Sequence, residues 1–242
     1  MHRERERNGR RGRAGGDPLN VTEATREFDR QLNTLLTQGF PALSGRTEEE
    51  FSALVHPLRD VVEDVARHAP GLRETGDPGD ETTGHAPFLL VVTRELAPVE
   101  ETVPLLRLSG GRKPGVIDRH YEEGALEKFV PVEKTEPPAA AYLLLDADRG
   151  EEFCGAVPRG ALTTLAERGR TPLTIEEGLA FVTHFPGALA KNRCFSLGAS
   201  RCGDRRVPAL WISERAPKLG WCWEGNPHSW LGMASAATRV AA

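Results

Sequence analysis

The 242-residue sequence has no apolar run long enough to cross a bilayer. Its longest, near residues 88–92 and 139–145, fall well short of the roughly 20 residues a spanning helix needs. No apolar segment follows the basic start MHRERERNGRRGR, so it reads as no secretory leader. The four cysteines show no Cys-x-x-Cys spacing, and the expectation is reduced thiols in a cytoplasmic protein. No Gly-x-x-x-x-Gly-Lys loop, no dinucleotide glycine fingerprint behind a strand and no Gly-x-Ser-x-Gly elbow occurs. Those absences remove the common nucleotide-binding and esterase readings. Lysine is also scarce, 5 residues against 26 arginines, a bias that suits a GC-rich genome better than a function.

What is present suffices for a core: 39% of residues are hydrophobic and 27% charged. The net charge of -4 is unevenly spread. Residues 1–16 carry six arginines against two glutamates, and residues 191–224 carry seven basic against three acidic residues. With Arg239 set aside, residues 17–190 hold 17 basic and 30 acidic residues. Either the acidic body and the basic segment attract one another in the fold, or the basic face meets an anion, phosphate or nucleic acid.

Patterning predicts an α+β fold: a disordered basic tail (1–20), then one domain over 21–242. Within it, a helical hairpin (21–70) packs on a mixed β/α body (86–190) that ends in an antiparallel β-meander (193–240). Phe28, Leu32, Leu35 and Leu36 form one helical stripe. Thr47 with Glu50 is a capping box opening a helix with Phe51, Leu54 and Val55 inward, interrupted at Pro57 and continued by Leu58, Val61, Val62 and Val65. Pro70 and Gly71 stop it, and residues 71–85 read as a linker. Buried strands are expected at 88–94, 103–108 and 141–146, with shorter ones at 115–118 and 129–132. Pro158 opens a helix over 158–168, and Thr174 with Glu177 caps another bearing Ile175, Leu179, Val182 and Thr183. The period then drops to two, predicting strands at 195–200, 207–212, 218–223 and 229–234.

Three blocks, EFDRQLNTLLTQGFPAL (27–43), RGRTPLTIEEGLAFVTHFP (168–186) and RVPALWISERAPKLGWCWEGNPHSWLG (206–232), carry a resemblance. Together they resemble the actinobacterial domain-of-unknown-function family 5701, from about residue 28 to about residue 240 and least over 71–135. The resemblance implies a bacterial cytosolic protein and brings no activity, cofactor or catalytic residue with it.

Residues 191–240 hold all four tryptophans and three of the four cysteines. Cys194, Cys202, Cys222 and His228 could be drawn as a zinc site, but gaps of eight, twenty and six are not those of paired knuckles. Cys222, mid-strand between two tryptophans, reads as a small core residue rather than a nucleophile. Ser196 or Ser200 with Asp204 and His228 has the residue types of a triad without its elbow. Asp146, Asp148 and Gly150 resemble the start of a calcium loop but lack the closing acid, so a turn is the better account. No metal and no cofactor is expected.

Recognition fits better. Basic groups interleaved with aromatics can stack on and pair with a ligand, although tryptophans alternating with glycine or cysteine on a strand also read as core. The favoured expectation is a non-catalytic cytoplasmic binding module with its surface at Arg201, Asp204, Arg205, Arg206, Lys218, Asn226, His228 and Trp230. Its partner would be an anionic ligand or a protein, with nucleic acid less supported and no membrane. The alternative is an enzyme or small-molecule pocket around His228, Asp204 and a nearby cysteine, which requires His228 within about 4 Å of a partner.

Overall fold

A computed structural model describes residues 18–68, 72–73 and 76–242, and the architecture is α+β. Helices are α1 (Val21–Thr37), α2 (Phe40–Leu43), α3 (Glu48–Val55), α4 (Pro57–His68), α5 (Val99–Thr102), α6 (Pro158–Glu167) and α7 (Ile175–His184). The first strands are β1 (His85–Val92), β2 (Val116–Ile117), β3 (Val130–Pro131), β4 (Ala141–Asp148), β5 (Thr171–Pro172) and β6 (Cys194–Ser196). The remainder are β7 (Ser200–Arg201), β8 (Arg206–Ser213), β9 (Ala216–Trp223), β10 (Leu231–Met233), β11 (Ser235–Ala236) and β12 (Thr238–Val240).

The basic-tail expectation for residues 1–17 lies outside the described residues, but its boundary at 20 is corrected. Leu19 is buried and its N–H donates to the Leu72 carbonyl (2.9 Å), while Pro18 bridges to Arg73. Asn20 then caps α1 through a reciprocal box with Glu23. α3 starts on the Thr47–Glu50 box, and Pro57 opens α4, where its missing N–H costs nothing. Phe28, Leu35, Phe51, Val55, Leu58 and Val62 form the helical core. Leu54 is corrected: at 39% exposure it faces outward, one residue and so more than a quarter-turn away from the buried Val55.

β1 and β4 pair antiparallel and are buried on both faces, which is why FLLVV and YLLL read as unbroken apolar runs. Phe88, Leu90, Val92, Leu143 and Leu145 meet the N-terminal helices. Leu89, Val91, Tyr142 and Leu144 join the second core, with α7 and the other sheet. On its other edge β4 takes β11 and then β12, and β5 pairs outside β11. α7, buried along its whole length, keeps the Thr174–Glu177 box. Glu177 also accepts from the Tyr142 hydroxyl (2.8 Å) and from Arg239 (2.6 Å), so β12 is tied to the start of α7 by a buried ion pair.

Two strand expectations fail. Residues 103–108 continue helical geometry from α5 into a 3-10 turn at Val103–Leu105. Val99, Val103 and Leu106 are buried at helical spacing, and Pro104 could not donate to a central ladder. The meander is antiparallel only through β6, β8 and β9. β10 returns to the far side of β6 and pairs parallel, and β2 pairs parallel with β9, giving the order β10-β6-β8-β9-β2. This return lays Trp230, just before β10, against Trp211 on β8.

Candidate functional site

The hairpin of β8 and β9 sets the register of the aromatic surface. Trp211 stands opposite Lys218, Pro208 opposite Trp221 and Arg206 opposite Trp223. Trp211 covers Gly220 so closely that a Cβ there would lie 2.0 Å from its ring, so only glycine admits the indole. The Trp230 ring meets Trp211 edge-on with centroids 6.3 Å apart, and Trp221 meets Trp223 edge-on at 4.9 Å. Trp211, Trp221 and Trp230 are half-buried and Trp223 is 45% exposed, so none is a fully buried core residue. Cys222, read as core, is likewise half-buried.

Between these rings lies an open hollow of about 400 Å³, lined by Asp118, His120, Trp211, Trp221, Cys222 and Trp230. A second of about 410 Å³ lies across the Trp211–Trp230 pair, lined also by Lys191, Asn192, Cys194 and Ile212. Asp118 reaches the first because the chain leaves β2 there, its N–H donating to the Leu219 carbonyl (2.8 Å). Its carboxylate binds the Lys218 amine (2.8 Å), the His120 N–H (2.9 Å) and the His120 ring Nδ1. Partial burial pushes the Asp118 carboxyl up, but the Lys218 and His120 hydrogen bonds outweigh that and hold it at about 2. An ionised Asp118 requires Nδ1–H on His120 and leaves Nε2 as the free ring nitrogen. The His120 ring stands edge-on to Trp221, 6.5 Å away.

The cationic groups nearby are largely paired. Arg206 binds Asp204 (2.8 Å) and lies over the Phe129 and Trp221 rings, 5.4 and 5.5 Å from their centroids. Arg201 (2.7 Å), Arg159 (2.6 Å) and Arg205 (3.8 Å) all converge on Glu224. The thiols are poor nucleophiles: burial pushes Cys222 and Cys194 up to about 11 and also raises Cys154 and Cys202.

The sequence-derived surface therefore divides. Lys218, Arg206 and Trp230 gather around the hollow, whereas Arg201 and Arg205 gather around Glu224. Asn226 is exposed on the turn after β9, and its N–H donates to the Trp223 carbonyl (3.0 Å). His228 lies tilted against Trp230, ring centroids 5.2 Å apart and planes at 42°, and, among the described residues, pairs with no carboxylate. Asp204 is engaged by Arg206 and by the Cys202 thiol (3.2 Å), so His228, Asp204 and a cysteine are not brought together as an acid–base set. Ser196 and Ser200 are buried, and the Ser200 hydroxyl accepts from the Ile175 N–H (2.9 Å). Asp146 is bound by His85 and Arg170, and Asp148 accepts the Gly150 N–H, which makes that segment a turn. Among the described residues no three His, Cys, Asp or Glu converge as metal ligands. No described helix is long and apolar enough to cross a membrane.

Sequence reading missed Asp118, His120, Arg159 and Glu224. Only the Asp-x-His spacing, which suits an Asx turn, hinted at the first two.

The model of a family of unknown function, DUF5701, matches residues 34–242, from within α1 through the second sheet and β12. The chain belongs to that family. No curated protein and no solved structure matches it.

Proposed function

We propose that this family member is a non-catalytic binding module of an actinobacterial cytoplasm, whose ligand seat is the tryptophan-walled hollow beside Asp118 and His120. The observation that carries the reading is three indoles around about 400 Å³, a volume that suits a small molecule. Indole faces favour a flat ring, which loses little entropy on stacking. Asp118 is already balanced by Lys218, and Arg206 over Trp221 is balanced by Asp204, so the seat favours a neutral ligand. The polar edge of that ligand would meet His120 Nε2. The absence of an activated thiol or serine beside the hollow favours binding over covalent chemistry.

A second reading draws on the same pair: Asp118 orients His120 as a general base is oriented, and such a base would act on a bound water. The test for binding is a titration of tryptophan emission with neutral nucleosides and, separately, neutral pyranosides. A saturable change is expected from one series, lost in Trp230→Ala and kept in Trp223→Ala. Failure of both series to saturate, or full retention in Trp230→Ala, sinks the reading. Turnover of a bound probe that disappears in His120→Gln would favour the second one.

A further inference from the structure

We infer that Arg159, Arg201 and Arg205 form a seat for one phosphoryl group of a small molecule, at the end of β9 around Glu224. The three guanidiniums come from separate places: the second residue of α6, the end of β7 and the turn before β8. All reach one carboxylate, Arg159 at 2.6 Å, Arg201 at 2.7 Å and Arg205 at 3.8 Å. The neighbouring acid, Asp204, is spent on Arg206. Four guanidiniums therefore stand against two carboxylates, leaving two positive charges in one small region.

Holding like charges together costs free energy unless an anion offsets it. Arg205 is beyond hydrogen-bond length from Glu224. Its guanidinium donates to no described residue. Arg159 spends a single amino group on Glu224, and the side chains of Arg159 and Arg205 are each 68% exposed. Gly225 lets the Arg205 head lie close to the turn: a Cβ there would stand 3.1 Å from its Nη2.

A phosphoryl dianion matches the surplus of two charges and accepts paired hydrogen bonds from more than one guanidinium, which a single carboxylate plane does less well. A long polyanion is disfavoured by the net acidic body, 30 acidic against 17 basic residues over 17–190. Arg159, Arg201, Arg205 and Glu224 are all absent from the lining of the tryptophan hollow, so the seat stands or falls separately from it.

The experiment is calorimetric titration of the full chain with inorganic phosphate and, in a second arm, with a short single-stranded oligonucleotide, at several salt concentrations. Phosphate should saturate. Arg159→Ala and Arg205→Ala should each weaken it about tenfold, the loss expected for one charge-assisted hydrogen bond. Glu224→Gln should tighten binding, since the competing charge is gone. Both arginines are on the surface, and an unchanged tryptophan emission spectrum establishes that the variants are folded. No saturation by ~20 mM phosphate overturns the inference, as does equal affinity in both arginine variants. Oligonucleotide binding tighter than phosphate, with a log–log salt slope steeper than about -3, overturns the small-molecule seat in favour of a polyanion track.

Discussion

Asp118 shows how one side chain couples the groove to pH. Its carboxyl titrates near 2 in the folded chain because Lys218 and His120 hydrogen-bond the charged form, against about 3.9 when unfolded. A depressed carboxyl contributes stability above its unfolded value and loses it as pH falls toward the folded one. With solvent screening in an open hollow, that contribution is of order 1–2 kcal/mol. Asp118→Asn should therefore be less stable by that amount near pH 7. Its stability should vary less than that of the parent chain between about pH 4 and pH 2. Urea unfolding at a series of pH values measures both, and parallel curves for the two proteins would refute the assignment. Other charged residues with short contacts matter less here: exposed pairs such as Arg168–Glu152 are screened.

At the scale of the element, the β8–β9 hairpin carries strain in its turn. Its two loop residues, Glu214 and Arg215, both adopt left-handed geometry at φ 52° and 63°. That is the mirror-image turn which matches strand twist, normally filled by Asn-Gly because other side chains crowd the backbone there. Replacing the pair by Asn-Gly should raise unfolding stability by about 1 kcal/mol, read as a higher urea midpoint with unchanged slope. An unchanged or lower midpoint would show that the present side chains are favoured there for another reason. The capping boxes at Asn20, Thr47 and Thr174 show the opposite case, local chemistry and tertiary position in agreement.

Across the whole molecule, β1 and β4 are shared by two cores, one facing the N-terminal helices and one facing α7 and the second sheet. Neither core can lose its partner surface without exposing those strands. We therefore expect one unfolding transition. Tryptophan emission reports only the second sheet region, whereas far-ultraviolet circular dichroism is dominated by the helices, and the two should coincide in midpoint and slope. An emission transition preceding the loss of helix would divide the chain into two cooperative units. The arginine cluster belongs to this scale as well, since Arg159, far back in the chain, joins Arg201, Arg205 and Glu224 only through the placement of α6 beside the end of β9.

The sequence by itself determined the local features: the helix starts at Thr47 and Thr174, the breaks at prolines, the strand character of FLLVV, and the family blocks. These depend on residues a few positions apart, where stereochemistry and hydrogen bonding act without the rest of the chain. Only the tertiary structure decided that residues 103–108 wind rather than extend, that β10 returns parallel beside β6, and that Trp211 and Trp230 wall one hollow. It also decided that Asp118 and His120 reach the tryptophans, and that Arg159 and Glu224 join Arg201 and Arg205. The physical reason is distance along the chain. Burial and pairing between residues separated by tens to a hundred positions leave no period or spacing in the string, because their free energy depends on which surfaces pack together.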